Sequence, residues 1–368
     1  MIKTKRVSSL AAILAAVFTV VACATPAQEP VDSTDEAAPE ETAETVEEPL
    51  YEGPIVPLTF QLNWVAGGAN AGFAVAAVDG IYEKYGLDVT IVEGNGSGNT
   101  AQMVAANQAE IAYADAVAVS QLTAQGAAMR IVGTFYQSNP NAVQALTSSG
   151  ITSFEDLKGK KVGVPQGSSQ ATMLPLLWEA NGFTEDDIEL VNMPNTSMVA
   201  SLLQGQVDAI LGSVDSYAIQ LSNEGAEFVE FTFFDYGVPT VSTSIFVSDR
   251  FLVDNEDVVK RFIAASIEGW NSALDDKANA VAAVKAYFPE TVEDTVMQEL
   301  KAATPLFCAG IAKYLGKAEP EQWVLTQDLL SQVELLPAGV DPEVYYSNEY
   351  LPPDSELRDC AANPPSVD

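Results

Sequence analysis

The chain has 368 residues, three Cys and no His, and it sets 51 Asp and Glu against 17 Lys and Arg for a formal charge of −34 at pH 7. Without His, imidazole acid–base catalysis and imidazole metal ligation are excluded. So acidic a chain also argues against nucleic acid, whose phosphates are held by clustered Lys and Arg.

Lys3, Lys5 and Arg6 precede an apolar run at 10–21. That run is shorter than the roughly 20 residues a spanning helix needs, and it has the flanks of a signal peptide. It ends in Val20-Val21-Ala22-Cys23, which resembles a bacterial lipobox, in which the Cys is acylated and becomes the mature N-terminus. An ordinary signal peptide with an incidental Cys is the alternative. Residues 1–22 are therefore expected to be a lipoprotein signal peptide, with Cys23 lipidated. Residues 23–54, rich in Glu, Ala, Pro and Thr, carry ten of the 51 acids and have little to bury. They read as a disordered acidic tether with a reach of about 30 Å. Without that segment and the three leading bases, 41 acids face 14 bases. No later apolar stretch reaches spanning length. The signal peptide and lipobox make the expected location extracytoplasmic, periplasm or cell surface, with the lipid as the membrane contact.

PLTFQLN at 57–63 reads as a strand, followed by a turn at Gly67-Gly68 and a helix over 71–78 that Gly80 ends. LDVTIVEG at 87–94 alternates as a strand. A loop from Gly94 to Thr100 then opens a helix at 101–107, and a strand follows at 109–114. The same order repeats: a strand in KKVGVPQG (160–167), a helix opened by Ser168-Ser169-Gln170, a strand at 188–193, a helix at 198–205 and a strand at 207–213. Alternating strands and helices predict an α/β chain with two mostly parallel sheets. TVSTSIFVS (240–248) reads as a β-rich return. The remainder is mainly helical, at 255–275, 278–287, 292–303 and 320–332, with Asp254 a plausible cap for the first of these. Val258, Val259, Phe262, Ile263, Ser266 and Trp270 fall on one face, as core packing requires. Cys308 and Cys360 remain as an even pair, which in an exported chain suggests one disulfide.

QLNWVAGGANAGFAVAAVDGIYEKYGLDVTIVEG, with Trp64, Asn70-Ala71-Gly72-Phe73 and Gly86-Leu87-Asp88-Val89, resembles the opening of the thiamine-pyrimidine-synthase-like binding proteins, relatives of the nitrate, sulfonate and taurine receptors. ITSFEDLKGKKVGVPQGSS, LLQGQVDAIL and the C-terminal DPEVYYSNEYLP are similar to later parts of that family, so the likeness covers about residues 57–352. The resemblance implies a two-lobed periplasmic binding protein fold of type II, with lobe 1 at 55–145 and 241–368 and lobe 2 at 146–240. It further implies a monomeric receptor that closes over a small molecule and hands it to an ABC permease and its ATPase, with no cofactor. One branch of the family is enzymatic and uses an active-site His and a Cys-rich motif. This chain has neither, and where that family has His in its helix-start motif it has Asn70.

In such folds the ligand lies at strand C-terminal ends near helix N-termini. Two loops qualify, one with Gly96, Ser97, Asn99 and Thr100, the other with Ser168, Ser169 and Gln170. Turns and caps are the alternative reading for each. Trp64, Asn70, Tyr136, Gln137, Ser213, Tyr217 and Tyr236 sit near predicted strand ends or loops, where rings can stack and polar tips can bond. Asp115 and Asp215 follow predicted strands and could accept from ring N–H or amino groups, or could simply cap helices. No Arg falls between Arg130 and Arg250, and the only Lys there are Lys158, Lys160 and Lys161. A lobe so poor in cations favours a neutral or weakly cationic heteroaromatic, such as a thiamine-related pyrimidine, a flavin or a nucleobase, over sulfonate, taurine or nitrate.

Overall fold

The computed structural model describes residues 51–368. The expected signal peptide, Cys23 and nearly all of the expected tether lie outside the described residues.

Apolar residues alternating with polar ones make the first strands. β1 (Val56–Gln61) is followed by a 3₁₀ turn at Gly68–Asn70, α1 (Ala71–Val78), α2 (Ile81–Lys84), β2 (Leu87–Val92), α3 (Ser97–Ala105), β3 (Ile111–Asp115), α4 (Ala116–Ala124) and β4 (Met129–Thr134). The chain then crosses to a second sheet with β5 (Asn141–Leu146), β6 (Lys161–Pro165), α5 (Ser169–Asn181), β7 (Glu189–Met193), α6 (Met198–Leu203), β8 (Ala209–Ser213), α7 (Tyr217–Asn223) and β9 (Phe228–Thr232). It returns through β10 (Thr243–Ser248) and continues as α8 (Asp249–Asp254), α9 (Glu256–Asp275), α10 (Lys277–Tyr287), α11 (Glu293–Phe307) and α12 (Pro320–Gln332).

The two five-stranded sheets share one plan, with orders β2-β1-β3-β10-β4 and β7-β6-β8-β5-β9. In each, three parallel strands meet an antiparallel fourth, β10 in one and β5 in the other. That fourth strand is the first one the chain makes after crossing from the other sheet. Because β5 belongs to the second sheet, the expected change of lobe at 145/146 falls inside a strand.

The crossings, at residues 135–140 and 233–242, are tied side by side. Ser242 N–H donates to the Tyr136 carbonyl at 3.0 Å, and Asn139 Nδ2 donates to the Val238 carbonyl at 2.6 Å.

The apolar face expected on α9 is buried against the first sheet. Gly72 of α1 and Gly269 of α9 let the two helices touch: a Cβ on Gly72 would lie 2.2 Å from the Trp270 ring, and one on Gly269 would lie 2.3 Å from the Gly72 carbonyl oxygen. Asp254 does not cap α9. It ends α8, and Asn255 occupies the capping position. The sulfurs of Cys308 and Cys360 sit at bonding distance, with Cα atoms 5.4 Å apart.

Strands β4, β5 and β9 and helices α4 and α7 were not expected. β4 and β5 are buried on both faces and so show no alternation. Among the described residues no helix is long and apolar enough to cross a membrane.

Candidate functional site

A cavity of about 70 Å³ lies between the two sheets. The first lobe contributes Asn63, Trp64, Asn70, Ser97 and Tyr113, and the second contributes Ser168, Ser169, Gln170, Ser213 and Asp215. The crossings add Tyr136, Pro140, Ser242 and Thr243, and Asn141 opens β5.

Strand ends and helix starts build this wall. β1 ends into the loop carrying Asn63 and Trp64, and Trp64 meets the edge of Tyr217 across the gap, with ring centroids 6.0 Å apart. Ser97 opens α3. Its Oγ accepts the Asp115 N–H at 3.1 Å and Asn63 Nδ2 at 3.3 Å, which holds three elements together. In the second lobe Ser168 caps α5 by accepting the Ala171 N–H at 3.3 Å, and Gln170 donates to the Gly212 carbonyl at 3.1 Å.

The lobes touch directly beside the cavity. Gly98 N–H donates to the Gly167 carbonyl at 3.0 Å, and a Cβ on Gly96 would lie 2.4 Å from that same oxygen. Gly96 at φ 138° and Gly167 at φ 72° also need the conformational freedom of glycine.

Asp215 is the acidic group in the wall. It is 6 % exposed, and its Oδ2 accepts the Tyr136 hydroxyl at 3.1 Å. Burial raises its pKa above the ordinary carboxylate range, against the opposing hydrogen bonds from Ser213 and Tyr136. Asn70 Oδ1 and Tyr113 OH are buried without a protein partner. No Lys or Arg lines the cavity among the described residues. Nor does any group of three or more Cys, Asp or Glu there suit a metal ion.

Of the residues singled out from sequence, Trp64, Asn70, Ser97, Tyr136, Ser168, Ser169, Gln170, Ser213 and Asp215 meet around the cavity. The others stand outside its wall. Gly96 serves the contact between lobes. Asn99 donates to Asn95 Oδ1 at 3.1 Å, Thr100 to the Leu62 carbonyl at 3.0 Å, and Gln137 to the Thr134 and Lys317 carbonyls. Asp115 caps α4 through the Val117 N–H at 2.8 Å and accepts from the cavity-lining Ser242 at 2.7 Å, so it orients the wall from behind. Tyr217 backs Trp64, and its hydroxyl donates to the Asn195 carbonyl at 3.1 Å. Tyr236 stacks on Phe154, centroids 4.8 Å apart, as part of the second lobe's packing.

Sequence reading missed Asn63, Tyr113, Asn141, Ser242 and Thr243. Tyr113 lies inside a wholly buried strand that reads as core, and the last three sit where the chain changes sheets.

Residues 69–280 match the family model described as NMT1/THI5 like. A putative thiamine biosynthesis protein of Haemophilus influenzae is 30% identical over 233 residues, 60% of this chain and 74% of that protein. The riboflavin-binding protein RibY of Chloroflexus aurantiacus is 25% identical over 346 residues, 91% of this chain and 95% of its own. The alkanesulfonate-binding protein SsuA of Xanthomonas axonopodis pv. citri has a similar fold, with a TM-score of 0.65 at 17% identity, covering 80% of this chain and 99% of that one. This two-lobed α/β chain belongs to the NMT1/THI5-like family.

Proposed function

We propose that this chain is an exported solute-binding protein that captures a small heteroaromatic molecule between its lobes and delivers it to an ABC permease and its ATPase. The observation that carries the reading is the cavity itself, which offers Trp64, Tyr113 and Tyr136 as ring surfaces and hydroxyl, amide and carboxylate groups as hydrogen-bond partners, with no Lys or Arg among the described residues. At about 70 Å³ it is well short of the roughly 300–1,000 Å³ of sites for drug-sized ligands. With the lobes in contact it suits a single ring, such as a pyrimidine, better than a fused tricycle. A thiamine-related name and a riboflavin-binding name among the relatives accord with a ring-bearing solute.

Binding shifts the lobes from open to closed, with the two crossings as the hinge. The site residues act as a receptor, not as a catalyst. Residues 1–22 direct export, lipid on Cys23 anchors the mature chain, and a disulfide joins Cys308 to Cys360.

Melting-temperature shifts with pyrimidines, riboflavin, taurine, alkanesulfonates and nitrate test the ligand class. Stabilisation by the pyrimidines is expected, and stabilisation by the sulfonates alone would overturn the reading. Labelling cells with a radioactive fatty acid tests the anchor: label should enter the protein and be lost in Cys23→Ala.

A further inference from the structure

Hydrogen-bonding capacity in the cavity wall is lopsided. Asp215 comes from the second lobe and meets no cation there among the described residues. Asn70, 4 % exposed, leaves Oδ1 unpartnered at the start of α1, and Tyr113, 1 % exposed, leaves its hydroxyl unpartnered on β3. These three groups stand on three separate elements and line one space. An unsatisfied buried polar group destabilises the empty site, and a buried carboxylate without a cation does so more. The set is therefore complete only when something that donates hydrogen bonds occupies the cavity.

Charge beyond the wall points the same way. Glu299 of α11 accepts the Gly68 N–H at 2.9 Å, and Glu230 of β9 accepts from Gln144 Nε2 at 2.6 Å. Burial raises the pKa of both groups, and the charge of Asp215 adds to the rise in each. The Tyr113 and Tyr136 hydroxyls are raised by burial first and by Asp215 next. Acidic groups thus gather around Asp215, with burial opposing their ionisation. An anionic solute would meet it in a low-dielectric space, whereas a cation would relieve it.

Resting on the reading of this cavity as a solute site, we propose that the solute binds as a cation whose edge of N–H donors, of the amidinium or protonated aminoheterocycle kind, pairs with Asp215 while Asn70 Oδ1 accepts a further N–H. Selectivity against anions then comes from the carboxylate rather than from the shape of the cleft.

Calorimetric titration of the full-length chain with matched ring compounds tests this. The probes are benzamidine, benzamide and benzoate, together with 4-amino-2-methylpyrimidine and its 4-oxo counterpart. The amidine and the amino compound should bind about tenfold or more tightly than their neutral counterparts, as charged hydrogen bonds do, and benzoate should not bind. In Asp215→Asn that preference should vanish. Equal or tighter binding of benzamide or the oxo compound would overturn the inference while leaving a ring-binding site standing. So would a preference that survives Asp215→Asn. If no ring compound binds, the solute-site reading fails and this inference falls with it. Should Asp215→Asn fail to fold, the ranking on the unaltered chain decides alone.

Discussion

Asp115 and Glu299 show how single carboxylates serve this fold from outside the cavity wall. Burial pushes the Asp115 carboxyl up to about 6 against the Ser242 and Val117 donors, and the group caps α4 by accepting the Val117 N–H at 2.8 Å. Asp115→Ala should cost about 1–2 kcal/mol, the value of a lost cap, and Asp115→Asn much less; urea denaturation of both variants measures this. Glu299 is pushed by burial from the ordinary 4.5 to about 7, with the Gly68 N–H acting in the opposite direction. Its folded value exceeds its unfolded one, so the folded state holds the proton more tightly. The resulting stability is fully present below about 4.5 and is lost as pH rises toward about 7. Glu299→Gln should therefore flatten the fall in stability over that window, by at most about 1.4 kcal/mol per pH unit. Urea midpoints between pH 4.5 and 7.5 would show it, and an unchanged slope would assign the titration to Asp115 or Asp215 instead.

Among the elements, α3 and α5 matter most, because their N-terminal turns bring the two lobes together. Gly98 N–H meets the Gly167 carbonyl, and a Cβ on Gly98 would lie 3.1 Å from that oxygen. Gly98 is in the first turn of α3 and has no positive φ, so a side chain there obstructs contact between lobes without straining its own helix. Gly98→Val should weaken solute affinity about tenfold by opposing closure, while the urea midpoint of the unliganded chain changes little. Undiminished affinity would mean that the bound state does not use this contact.

At the scale of the whole molecule, the exchange of β5 and β10 between otherwise identical sheets leaves two adjacent strands of chain as the connection between lobes. The segment from Cys308 to Cys360 spans 52 positions and follows the second crossing. In the chain-entropy model a bridge across that distance stabilises by about 4 kcal/mol. Reduction should lower the denaturation midpoint accordingly, and Cys308→Ala with Cys360→Ala should remove the sensitivity to reductant. The thiol-specific mass shift before and after reduction checks that the bond was present.

The sequence by itself determined the elements that carry a period. Alternation gave β1 and β2, one apolar face gave α9, and the paired loop-to-helix starts placed Ser97 and Ser168 at strand ends. Family-like order then gave the two-lobed class. Strands β4 and β5 were hidden because burial on both faces erases alternation. Only the tertiary structure decided which polar residues face one another. Asp115 and Asp215 occupy similar positions after strands, yet one caps a helix and the other faces a cavity. Tyr136 and Tyr236 both follow strands, yet one reaches Asp215 and the other packs against Phe154. Those outcomes depend on how the crossings bring the sheets together, and contacts between residues about a hundred positions apart leave no local period in the chain.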